Sequence, residues 1–128
     1  MSLEDQFIDL CKYGNLDTAK EFLKENPTIN ISANDEDAFV FACLYGHLEL
    51  AQWLLLIKPN IDISADNEDA FCWACSNGHL AVAQWLYSVK PSINISADNE
   101  FAFKCAYINK YLDLAKWLQS LFPDKYEL

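Results

Sequence analysis

Pro27, Pro59, Pro91 and Pro123 stand 32 residues apart in a chain of 128, and most of what lies between them repeats in the same register. Asn30-Ile-Ser-Ala-Asn-Asp-Glu-Asp-Ala-Phe39 returns as Asp62-Ile-Ser-Ala-Asp-Asn-Glu-Asp-Ala-Phe71 and again as Asn94-Ile-Ser-Ala-Asp-Asn-Glu-Phe-Ala-Phe103. Trp53-Leu54, Trp85-Leu86 and Trp117-Leu118 recur at the same step. Self-similarity at a fixed period of roughly 20–50 residues marks an array of stacked units. A chain spent on near-copies of one unit builds a surface more readily than a catalytic pocket.

The second unit shows how each copy folds. Ser32-Ala-Asn-Asp-Glu-Asp37 is polar and rich in short side chains that cap helices, so it predicts a helix start. Ala38, Phe39, Phe41, Ala42 and Cys43 then fall on one helical face, and Gly46 ends the helix because glycine accepts the left-handed conformation. A second helix is predicted from about Leu48 to Ile57, with Leu48, Ala51, Leu54 and Leu55 on its apolar stripe, and Pro59 cannot continue it. Ile61-Asp-Ile63 alternates at period 2, which predicts an extended, hairpin-like connector. Helices of about ten residues are marginal alone, so the units must stabilise one another by burying shared faces. The three tryptophans fall within the second helix's apolar stripe and read as core. The first unit begins directly at its helix, and the last has Ile108-Asn-Lys-Tyr111 in place of the Gly-His turn, as expected of terminal units.

Charge and cysteine usage narrow the function classes. Nine lysines, no arginine and nineteen carboxylates give a net charge of −10. Such a chain repels polyanions and lacks the guanidinium fork that reads phosphates and bases, so nucleic acid is disfavoured and no nucleic-acid partner is expected. No apolar run approaches the roughly 20 residues of a membrane span, and the N-terminus has no basic region followed by an apolar stretch. Of the five cysteines, Cys11, Cys43 and Cys75 share one repeat position. Stacked units would hold them beyond the roughly 7 Å Cα limit for a disulfide. Free buried thiols predict a reducing compartment, cytoplasmic with the nucleus as the other choice.

Cys72-Trp-Ala-Cys75 followed by His79 is the one constellation that could hold a metal or run redox chemistry. Cys75 occupies the small core position of its repeat, and packing is the simpler explanation. Three acidic turns, Asp35-Glu-Asp37, Asp66-Asn-Glu68-Asp69 and Asp98-Asn-Glu100, lack the alternating carboxylates and glycine of a calcium loop. Capping at the positive ends of helix dipoles explains them individually. Collectively they would line up as an acidic edge. No catalytic residue, metal ligand or cofactor is predicted.

Ala42-Cys43-Leu-Tyr-Gly46-His47-Leu48-Glu49-Leu50-Ala51, matched by Ala74-Cys75-Ser-Asn-Gly78-His79-Leu80-Ala-Val82-Ala83, resembles the ankyrin repeat. The resemblance implies an all-α, ankyrin-type helical solenoid: four 32-residue helix-turn-helix units joined by short hairpin-like loops. The whole chain would be one domain, with units at about 1–28, 29–60, 61–92 and 93–128. Asp37-Ala38-Phe39-Val40 stands where the family has Thr-Pro-Leu-His. The family's hairpin glycine falls on Asp35, Asn67 and Asn99, residue types that tolerate positive φ. The Asn-Glu-Asp-Ala-Phe opening is similar to ankyrin proteins of giant DNA viruses of amoebae, which would imply a host-interaction protein in the host cytosol.

The implied function is non-enzymatic: a monomeric protein–protein interaction module whose partner has a basic surface. Its contacts would be Leu44, Tyr45, Ser76, Asn77, Ile108 and Asn109 at the ends of the first helices. Glu36, Asp66, Glu68, Asp98 and Glu100 would form the rim. The alternative is a structural protein that self-assembles through imperfect end units.

Overall fold

Residues 1–126 are described in a computed structural model, and among them the chain forms eight helices and no strand. They are α1 (Leu3–Tyr13), α2 (Leu16–Glu25), α3 (Ala33–Leu44), α4 (Leu48–Ile57), α5 (Ala65–Ser76), α6 (Leu80–Val89), α7 (Ala97–Ile108) and α8 (Leu112–Leu121). The last two residues of the fourth unit lie outside the described residues. The helices pair as α1/α2, α3/α4, α5/α6 and α7/α8, and the odd-numbered first helices lie side by side along the array. This is the helical solenoid that the period implied.

Small residues set the spacing of the first helices. Ala38, Ala70 and Ala102, with Ala42, Ala74 and Ala106, are fully buried where neighbouring units meet. Phe7, Phe39 and Phe71 fill the space between first and second helices. Each of them meets a tryptophan from the following unit: Phe7–Trp53 at 6.5 Å, Phe39–Trp85 at 6.1 Å and Phe71–Trp117 at 6.3 Å between ring centroids. The tryptophans, partly buried, therefore bridge units by packing against the core.

Gly14, Gly46 and Gly78 end their helices at φ 78°, 80° and 78°. A second constraint acts on the same residues. The His47 ring lies against Gly14, His79 against Gly46 and Tyr111 against Gly78, and a Cβ on any of these glycines would come within 2.2–2.7 Å of a ring atom. His47 Nε2–H also donates to the Lys12 carbonyl at 2.8 Å, one unit back. The Gly-His pair is thus an inter-unit contact as well as a turn.

The connectors differ from expectation. They are successive turns and not paired strands. The Asn30 side chain accepts the Ser32 N–H at 3.0 Å, and Asp62 and Asn94 do the same for Ser64 and Ser96 at 3.1 Å. These short bonds curl the chain and consume donors that a strand partner would need. Beyond them, Asn34-Asp35-Glu36, Asp66-Asn67-Glu68 and Asp98-Asn99-Glu100 all take left-handed conformations, with φ between 54° and 68°. The positive φ expected at Asp35, Asn67 and Asn99 is present and extends to both neighbours. No side chain of Ser32, Ser64 or Ser96 makes a capping hydrogen bond to its helix, so the short-side-chain cap expected there is absent at these serines. Side-chain caps occur at Ser2 and Asn15, in the first unit.

Glutamate is a poor left-handed residue, costing roughly 1–2 kcal/mol there. Its side chain supplies the compensation. Glu36 Oε2 accepts the Asp62 N–H at 2.8 Å and Glu68 Oε2 accepts the Asn94 N–H at 2.8 Å, each reaching 26 residues along the chain into the next connector. Glu4 does the same for Asn30 at 3.1 Å. Lysines return the link: Lys58 Nζ donates to Ser32 Oγ and Lys90 Nζ to Ser64 Oγ. The connectors are therefore a continuous ladder along one edge of the array.

The C-terminal segment completes that ladder. Tyr126 O–H donates to Glu100 Oε1 at 2.7 Å, Lys125 Nζ pairs with Glu100 Oε2 at 2.9 Å, and Lys125 also reaches Ser96 Oγ. The Tyr126 ring stacks on Phe103 at 4.3 Å with 9° between planes. These partners hold the Glu100 carboxyl below its ordinary range despite burial that pushes it the other way.

Candidate functional site

The first helices present two edges, and the expected contact residues divide between them. At the C-terminal ends of α3, α5 and α7 lie Leu44 and Tyr45, Ser76 and Asn77, and Ile108 and Asn109. Tyr45 is 49% exposed, stacks on Phe41 at 6.3 Å and on His47 at 6.4 Å, and lines a groove with Lys12 and Tyr13. Ile108 is 72% exposed. Asn109 Nδ2 donates to the Ser76 carbonyl at 3.2 Å, and Asn77 Nδ2 to the Trp73 carbonyl at 2.9 Å, which fixes these turns to their scaffold.

At the opposite, N-terminal ends lie the acidic residues, roughly 12 Å away along helices that rise about 1.5 Å per residue. Here the expectation fails in part. Glu36 and Glu68 are only 7% and 6% exposed, because each is locked to the next connector. They are structural residues and not rim contacts. Glu100 is held by Lys125 and Tyr126. Val40, on α3, is buried.

Asp66 and Asp98 do come together. With Asn67, Asp69, Cys72, Trp73 and Phe101 they line a pocket of about 210 Å³ between α5 and α7. Trp73 is 39% exposed and meets Phe101 edge-on at 5.3 Å. Burial, then the charges of Asp66, Asp98 and Asp37, raise the Asp69 carboxyl above its ordinary value. Asp37 is raised by burial and by Asp66 and Asp35, while Lys12 pulls it back. Cations thus reach the first unit's end of the acidic edge through Lys12 and its far end through Lys125, and the pocket has none in its lining. Phe101 was missed by sequence reasoning. Its signal was visible: it occupies the register of Asp37 and Asp69.

The cysteine constellation is packing. Cys72 and Cys75 are buried, and burial pushes the Cys72 thiol up to about 12 and the Cys75 thiol upward too. Thiols held this far from ionisation are poor nucleophiles. His79 lies against Gly46 and hydrogen-bonds the Leu44 backbone. Over α2, α4 and α6, Trp53, Leu56, Trp85 and Val89, with Lys20 and Gln52, line a mostly apolar groove of about 560 Å³. No helix among the described residues is long and apolar enough to cross a membrane.

Comparisons with known proteins bear directly on the repeat register. A family model described as ankyrin repeats (3 copies) matches residues 42–126, and one described as ankyrin repeats (many copies) matches residues 7–55. No curated protein matches the chain. Stacked helix pairs, glycine turns packed under the next unit's ring, and family matches reaching from residue 7 to residue 126 agree: the chain belongs to the ankyrin repeat family.

Proposed function

We propose that this chain is a recognition module that holds a basic protein partner against its first-helix face. Ankyrin repeats are generally protein–protein interaction modules, and typically non-enzymatic. One observation carries the reading to particular residues: on helices whose repeated alanine and leucine positions are buried, several positions that differ between units face solvent. Tyr45, Trp73 and Ile108 are all unit-specific and all solvent-facing. Exposed aromatic anchors on a fixed scaffold are the usual source of binding energy in an interface. The net charge of −10 and the acidic edge supply the preference for a basic partner and disfavour nucleic acid.

The test is affinity isolation from the native source at low and high salt, with wild type and Tyr45→Ala in parallel. The expected result is a partner retained by wild type, weakened by salt, and lost by about tenfold or more in Tyr45→Ala at unchanged melting temperature. Equal loss of stability and binding would make Tyr45 a packing residue, and salt-insensitive retention would remove the acidic edge. A cytosolic, viral host-interaction setting rests on the resemblance of the Asn-Glu-Asp-Ala-Phe opening alone. Exposed Tyr107, Ile108 and Phe122 at the last unit favour self-association as a second reading. A molecular mass that rises with concentration would support it.

A further inference from the structure

We propose that the pocket between α5 and α7 is a subsite for one cationic side chain, an arginine of the basic partner. The inference rests on the reading of the chain as a module for basic proteins, and deepens it by naming the residues that select the charge. Trp73, which is exposed, and the half-buried Phe101 form an aromatic wall, edge to face at 5.3 Å. Asp66, Asp69 and Asp98 converge on the same cavity of about 210 Å³, and its lining contains no lysine.

Among the described residues, no ion pair neutralises this cluster. Lys12 pairs with Asp9 and lies over Phe41, and Lys125 pairs with Glu100 at the far end of the acidic edge. Glu68 adds to the excess. It is almost fully buried, its Oε1 has no hydrogen-bond partner, and its charge reaches Cys72 on the pocket's lining. Burial first, and then the charges of Asp66, Asp98 and Asp37, push Asp69 toward its neutral form. A cation entering here relieves that repulsion and meets an aromatic face, two gains that a neutral side chain cannot make.

Guanidinium fits better than ammonium. It is planar, stacks on aromatic rings, and can donate to two carboxylates at once. The unit-specific residues agree with this placement. Phe101 replaces the aspartate of earlier units, and Trp73 replaces Phe41, so an aromatic wall with this composition occurs at one interface.

The experiment is a titration of the full chain with Nα-acetyl-arginine methylamide at low salt, followed by the indole N–H signals of its four tryptophans. Trp73→Phe identifies the Trp73 signal. We expect that signal to shift saturably in the millimolar range while Trp53, Trp85 and Trp117 stay put. The lysine analogue should bind more weakly, and the isosteric, neutral citrulline analogue should not bind. Asp98→Asn, whose other indole signals report that the fold is kept, should weaken arginine binding about threefold or more. The proposal is overturned if arginine produces no shift, if citrulline shifts Trp73 equally, if all four indoles move together, or if Asp98→Asn leaves binding unchanged. A silent pocket combined with salt-sensitive partner capture would remove this subsite alone, because the module reading is judged by Tyr45→Ala and salt.

Discussion

Asp69 and His79 titrate against the fold from opposite directions. Asp69 is raised by burial and by neighbouring carboxylates, so the folded state takes up a proton more readily than the unfolded chain, whose aspartate titrates near 3.8. Its contribution to stability is fully present below 3.8 and is lost as pH rises through the folded value. At neutral pH the ionised group therefore opposes folding, and Asp69→Asn should raise neutral-pH stability. His79 is lowered, chiefly by burial, and the folded state favours the neutral ring. Stability should then fall as pH drops from about 6.5 through the lowered value, and level off beneath it. Urea midpoints measured against pH check both. His79→Gln should flatten the decline below pH 6.5, and Asp69→Asn should shrink the gain near the carboxylate range. A decline of unchanged size in His79→Gln would assign it to another group.

A turn between paired helices carries two demands, and they can be separated by mutation. At Gly46 the backbone is left-handed, and a Cβ would lie 2.5 Å from His79 Nδ1. Lys110 occupies the equivalent register in the last unit at φ 64° and carries a Cβ. We expect Gly46→Ala to cost about 2 kcal/mol or more, from backbone strain and displacement of the ring. Lys110→Gly should stabilise by roughly 1 kcal/mol, from relief of strain alone. Chemical unfolding of both variants checks this, and a small cost at Gly46 would show that the His79 ring yields freely. Much of this scale was readable from residues. Gly46 and Pro59 bracket α4, which runs from Leu48 to Ile57 as the apolar stripe indicated. The connectors were not readable, because their conformation depends on Glu36 and Glu68 meeting amides 26 residues away. A polar Asn-Asp-Glu run looks like a helix cap locally, and only the neighbouring unit reveals it as a tertiary bond. The pocket was half legible: Asp66 and Asp98 were marked by charge, whereas Phe101 needed the stacking of α5 on α7 to gain a meaning.

Across the whole molecule, the connectors join units along one edge. Each glutamate bond serves a single junction, so damage should be local before it is global. The most direct measurement is amide hydrogen exchange at Asp62 and Asn94, which lie outside every helix. Protection is predicted at both, although neither belongs to a regular element. In Glu36→Ala, Asp62 should lose its protection first while Asn94 keeps its own, with a stability loss of roughly 1–3 kcal/mol. Exchange of Asp62 and Asn94 at the rate of an open loop in the unmodified chain would contradict a stack held together through its connectors.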